Sequence, residues 1–151
     1  MQLFEALRYP VGTHLAFVGA GGKTSAIFTL ANELKSRVFI TTSTHFGVDQ
    51  LENADYHWII NTPNDLNALN NDLPQGIHVV TGPINLDNRV KGLSLRKMTL
   101  LRTIAKGYHA PLLIEADGAR QLAFKAPADH EPVIPKWVDS VVCPWSLVFG
   151  G

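Results

Sequence analysis

Short apolar runs alternate along the chain with stretches whose apolar residues recur every three or four positions. His14 to Val18 (HLAFV) is one such run, and a strand covered on both faces reads this way. Gly19 to Gly22 cannot sustain a strand and predicts a loop. From Lys23 to Ser36, the residues Ile27, Leu30, Ala31 and Leu34 fall at spacings 0, 3, 4 and 7, which is one face of a helix. Val38 to Thr41 predicts a second strand, and Thr42 to Gly47 a polar loop. Tyr56 to Ile60 is a third strand. Asn61-Thr62-Pro63 then supplies a cap and a first-turn proline for a helix running to about Asn71.

Ile77 to Thr81 predicts a fourth strand and Gly82 to Gly92 a polar connection. Ser94 to Lys106 reads as a helix, with Gly107 expected at its C-cap. Pro111 to Glu115 is a short buried strand, Ala116 to Pro135 a long loop with one helical turn, and Ser140 to Cys143 a last strand. Leu3 to Leu7 is a short apolar helix candidate. The alternation predicts an α/β fold: a three-layer, mostly parallel sheet flanked by helices, as one domain over residues 1–151.

Composition narrows the chemistry. Charged residues make up 17% of the 151 and apolar residues 46%. Soluble proteins carry about 25% charged residues, so much of this chain is expected in an interior or an interface. Thirteen basic residues balance thirteen acidic ones. That balance argues against a broad electrostatic grip on nucleic acid or on an anionic membrane, and leaves room for a local anion site. The single Cys143 excludes an intrachain disulfide and points to a reducing, cytoplasmic setting. No run approaches a membrane span, and MQLFEALRYP lacks an apolar signal core.

The strongest chemical signal is FVGAGGKTS, Phe17 to Ser25, between a strand and an amphipathic helix. Consecutive glycines let backbone N–H groups curl around an anion, and the following helix N-terminus adds unpaired N–H groups. Gly19, Ala20, Gly21, Gly22, Lys23, Thr24 and Ser25 are therefore candidate ligands for a nucleoside triphosphate, ATP or GTP. Lys23 would reach the β- and γ-phosphates, and Thr24 would ligate Mg²⁺. The usual phosphate loop has a glycine, four residues, then Gly-Lys-Ser/Thr; counting back from Gly22 lands on Phe17, which is not glycine, and the loop here is shorter, with two residues between Gly19 and Gly22-Lys23-Thr24. It resembles the compressed loop of the Mur ligase and folylpolyglutamate synthetase group. A dinucleotide fingerprint opening at Gly19 is an alternative, but it wants an acid after the second strand, where Thr41-Thr42 stand.

A nucleotide site of this kind needs a carboxylate at a neighbouring strand end. LLIEADGA supplies Glu115 and Asp117 for the metal and Gly118 for a γ-phosphate contact. With Lys23 these two acids are the candidate catalytic residues. TTSTH places four hydroxyls and His45 after the second strand, so Thr44 and His45 are candidate substrate contacts. KAPADHEPVIP mixes Lys125, His130 and Glu131 with prolines that fix a loop, as a substrate wall or lid would require. The tryptophans are read as core, and Cys143 as buried and inert.

Together FVGAGGKTS, TTSTH, LLIEADGAR and KAPADHEPVIP, from about Val18 to Val142, resemble the selenium-dependent molybdenum hydroxylase accessory protein family, also called the YqeC-like family of selenium cofactor biosynthesis. The resemblance implies a phosphate-loop nucleotide domain that acts on a small-molecule or cofactor intermediate, with a molybdenum hydroxylase as partner. It implies phosphate binding by Gly19 to Thr24, metal binding by Glu115 and Asp117, and a characteristic loop holding Lys125, His130 and Glu131. Hydrolysis of ATP or GTP and phosphoryl transfer both use this apparatus. A non-catalytic nucleotide switch or chaperone, and an NAD(P)-dependent oxidoreductase, are the competing functions. Family members continue beyond the segment near Val142, which implies that the chain is the N-terminal portion of a longer domain. The strand 140–143 would then lack part of its cover, and a homo-oligomer is expected.

Overall fold

In a computed structural model, residues 13–19, 22–116 and 134–144 are described. Six strands form one sheet: β1 (His14–Phe17), β2 (Val38–Thr42), β4 (Tyr56–Ile59), β5 (Ile77–Thr81), β7 (Leu112–Glu115) and β8 (Ser140–Val142). Two more, β3 (His45–Gly47) and β6 (Arg89–Lys91), make a separate antiparallel ribbon. The large sheet runs in the order β4-β5-β2-β7-β1-β8, and each of its pairings is parallel.

Period-2 alternation splits these strands between two cores. Leu15, Phe17, Val38, Ile40, Val79 and Leu113 face helix α1 (Lys23–Leu34), which contributes Ile27, Leu30 and Ala31. Phe39, Val80, Leu112 and Ile114 face the opposite way, against Met98, Leu101 and Ala105 of helix α2 (Leu95–Gly107) and Leu66 and Leu69 of a 3-10 turn (Pro63–Asn70). The sheet is thus the middle of three layers. Coverage on both faces is why the central strands read as unbroken apolar runs.

Several details depart from the sequence reading. The predicted helix after Pro63 is a 3-10 segment, started where the Asp65 carboxylate accepts from the N–H groups of Asn61 and Thr62. Gly107 is the last residue of α2, and the left-handed position falls on His109 (φ 55°) instead. The stretches read as polar loops at 42–47 and 82–92 contain β3 and β6. Strand β8 is an edge, with Val141 half exposed and Val142 buried against β1. Trp58 and Trp137 are half-buried at the margin of the α2-side core rather than inside it. The candidate helix 3–7, most of the loop 116–135 and Trp145 lie outside the described residues.

Strand order also locates a crevice. From β1 the chain crosses over through α1 toward β2, whereas from β7 it proceeds the other way, past β1 to β8. Neighbouring parallel strands whose connections diverge leave an opening at their carboxyl ends, and that is where ligands gather in open α/β sheets.

Candidate functional site

The divergence falls between β1 and β7, and the glycine segment leaves β1 at that point. Pairing in register sets Phe17 beside Glu115, and on the other side of β7 Thr42 beside Glu115. Three strand ends therefore bring residues from distant parts of the chain to one place.

Within the glycine segment, Gly19 has φ +125° and Gly22 has φ +77°. A side chain at either position would be strained, so the sequence supplies glycine where the backbone turns sharply into α1. Gly22 caps α1 in the left-handed region, and its carbonyl accepts from the Ala26 N–H. The N–H groups of the first helical turn have no intrahelical partners, and no acidic side chain occupies that turn. This helix end favours negative charge. Lys23 and Thr24 are half-buried there, and Ser25 is exposed.

Thr24 reaches across to β7. Its hydroxyl donates to Glu115 Oε1 at 3.3 Å. Glu115 is 8% exposed, and burial of a carboxylate requires hydrogen-bonding company. The Glu115 backbone carbonyl also accepts from the Ser43 N–H at 3.0 Å, which ties β7 to the hydroxyl-rich segment after β2. There the Thr44 N–H donates to Thr42 Oγ1, and the Thr42 and Thr44 hydroxyls lie 3.2 Å apart. Thr41 is turned away, its hydroxyl donating to the Val80 carbonyl.

The structure thus brings together Gly19, Gly22, Lys23, Thr24, Glu115 and, one strand over, Thr44. His45 follows on the ribbon, with its side chain exposed. Ala20, Gly21, Asp117, Gly118, Lys125, His130 and Glu131 lie outside the described residues. The Thr24 hydroxyl and Glu115 carboxylate are hard oxygen donors, suited to Mg²⁺. Among the described residues no group of three or more His, Cys, Asp or Glu side chains could hold a metal by itself. Any Mg²⁺ at this site would need further oxygens from phosphates or water, its usual mode of binding.

Two features escape the sequence reading. Cys143 is half-buried, and its Sγ lies 3.3 Å from where a Cβ on Gly19 would stand; Pro144 lies 3.9 Å from the same point on Gly22. The end of β8 therefore packs on the glycine segment, and Cys143 belongs to the wall of the site rather than to the core. The second feature is the ribbon's attachment. A Cβ on Gly92 would meet the Thr42 carbonyl oxygen at 2.5 Å, and one on Gly82 would meet the Lys91 and Gly92 carbonyl oxygens at 3.2 Å. The Gly92 N–H donates to the Thr44 carbonyl and the Leu93 N–H to the Thr42 carbonyl. Gly82 and Gly92 mark where the chain turns around Arg-Val-Lys, but no local signal marks its pairing with residues 45–47, more than forty positions earlier.

The family model described as YqeC protein matches residues 15–148. A protein of Escherichia coli (strain K12), described as uncharacterized protein YqeC, is 35% identical over 135 residues, covering 82% of this chain and 48% of its own length. The chain therefore spans about half the length of that relative. No solved structure matches it.

Proposed function

The chain belongs to the YqeC family, and on that premise we propose that it is a Mg²⁺-dependent accessory protein that binds ATP or GTP in the maturation of a selenium-dependent molybdenum hydroxylase. The observation that carries the nucleotide reading is the Thr24–Glu115 hydrogen bond beneath a glycine segment with two left-handed residues. A purely structural turn has no use for a lysine, a threonine and a buried carboxylate at the same point. The hydroxylase part rests on the four motifs named above. A cytoplasmic setting fits the lone Cys143.

In this reading, the N–H groups of the loop and of the first turn of α1 bind the phosphates, and Lys23 neutralises charge on the terminal one. Thr24 and Glu115 would hold Mg²⁺, with Asp117 serving it and Gly118 approaching the γ-phosphate. The metal would offset charge that develops on the phosphate oxygens. Thr44 and His45, on the next strand end, would face an acceptor. Lys125, His130 and Glu131 would belong to a wall around it. Hydrolysis and phosphoryl transfer to a small-molecule or cofactor intermediate both follow from this set.

Strand order favours a nucleoside triphosphate over a dinucleotide. In the dinucleotide fold the first two strands are neighbours and the second ends in an acid. Here β7 separates β1 from β2, and β2 ends in Thr42. Calorimetry with ATP, GTP and NAD, each with and without Mg²⁺, tests the proposal. Saturable binding of a triphosphate that strengthens with Mg²⁺ is expected. Binding of NAD alone would overturn it. Phosphate release then separates an enzyme from a switch.

A further inference from the structure

The β3–β6 ribbon has two unlike faces. Phe46 and Val90 pair across it and are fully buried, closing one end of the α1-side core. The pairs on either side place His45 opposite Lys91 and Gly47 opposite Arg89, so these residues share the other face. His45, Arg89 and Lys91 are all exposed, and neither Arg89 nor Lys91 forms an ion pair among the described residues. A carboxylate, Asp49, lies against Gly47 at the end of the ribbon remote from Thr44. Arg89, opposite Gly47, shares that end, and Lys91 stands at the end nearer Thr44.

This end is held beside the candidate site by rigid means. The Gly92 N–H bonds to the Thr44 carbonyl at 2.7 Å, and the absence of a side chain at Gly92 lets its backbone touch Thr42 to Thr44. Those same residues adjoin Glu115 through the Ser43 N–H. A cationic surface at the edge of a site that handles phosphate would raise the local concentration of anions. A lysine and an arginine on one strand, two residues apart, suit a phosphate or carboxylate group.

We infer that the face formed by His45, Arg89 and Lys91 is the binding site for an anionic second substrate, one bearing a phosphate or carboxylate group. The role as a second-substrate site rests on the nucleotide reading proposed above. The Thr42–Thr44 segment would lie between the two ligands, and Lys91 would anchor the acceptor's anionic end while its reactive end points toward Lys23.

The test is a titration with inorganic phosphate, followed by amide chemical shifts at constant ionic strength. It is run on the unmodified chain, on Lys23→Ala and on Arg89→Ala/Lys91→Ala. Both substituted ribbon side chains are exposed, so the double variant is expected to fold. Two saturable responses are expected, one at residues 22–25 and one at residues 44–46 and 89–92. The double variant should weaken the ribbon response about tenfold or more and spare the other, and Lys23→Ala should do the reverse. A response at the glycine segment alone, or a ribbon response that survives in the double variant, overturns the inference and leaves the nucleotide reading standing. A saturable response at neither place counts against both.

Discussion

Strand β2 separates two polar clusters that have little in common. Toward β7 lie Thr24, Glu115, Ser43 and Thr44. Toward β4 and β5 lies His78, fully buried, with its ring stacked 4.7 Å from Tyr56 and tilted against Phe39 at 5.6 Å. His78 Nδ1 accepts from Trp58 Nε1–H at 3.1 Å, and Nε2 bonds the Pro74 carbonyl at 2.9 Å, so Nε2 carries the proton. Nearby, Arg37 lies 4.6 Å over the Tyr108 ring and donates to the Leu73 carbonyl through Nε and Nη2. Every donor and acceptor of that imidazole is spent on the protein, which is the mark of a part that holds the fold together. On the β7 side, by contrast, the N–H groups at the start of α1 have no intrahelical partner, and no acidic side chain stands in that turn. A buried polar group signals function when the groups around it are directed outward, and structure when they close on one another.

The largest effect that can break this contrast is at His78. Replacement by alanine removes two hydrogen bonds and stacked ring area, and should lower unfolding stability by about 3 kcal/mol while leaving triphosphate affinity unchanged. Denaturant unfolding paired with calorimetry measures both, and a loss of affinity without a loss of stability would reverse the assignment. The mirror image is Lys23→Ala. It should weaken triphosphate binding by about 2–3 kcal/mol and leave the thermal midpoint where it was. Equal affinity in a folded Lys23→Ala protein would remove the phosphate-binding role.

Gly92→Ala comes next, at about 2 kcal/mol, because a Cβ would meet the Thr42 carbonyl at 2.5 Å. Hydrogen exchange should report lost protection at the Gly92 and Leu93 amides and none at the β4–β5 pairing; uniform loss would show that the ribbon is not a separate attachment. The smallest effect is that of pH. Burial lowers the pKa of His78, and likewise of His14 and His57, below the usual 6.5. Below that value the unfolded chain binds protons that the folded one resists. Stability should be full above pH 6.5 and decline as pH falls toward the folded values. A His78→Phe variant should show a shallower decline, and an unchanged slope would mean that His78 does not titrate across folding.

Much of this was legible from residue order alone. Apolar runs at 14–18, 38–41, 77–81 and 111–115 marked the central strands because both of their faces are covered. Spacings of three and four marked α1 and α2 because each presents one face to the sheet. Gly19, Gly22, Lys23, Thr24 and Glu115 could be picked out as candidates because a lysine and a threonine follow the glycines and an acid ends a strand, and the structure sets Thr24 against Glu115. The ribbon was not legible: its strands are three residues long, and Phe46 and Val90 gain their meaning only by pairing across more than forty residues. The same holds for Cys143, whose place against Gly19 depends on β8 lying beside β1.

The sequence by itself determined the local conformations, since periodicity, capping and the tolerance of glycine for positive φ act over a few residues. Tertiary structure alone decided the order of the strands. That order sets Glu115 within reach of Thr24, brings Lys91 opposite His45, and seals His78 among Tyr56, Trp58 and Phe39. Each of these contacts joins residues far apart in the chain, and burial of both faces of the sheet, a property of the whole assembly, selects the partners.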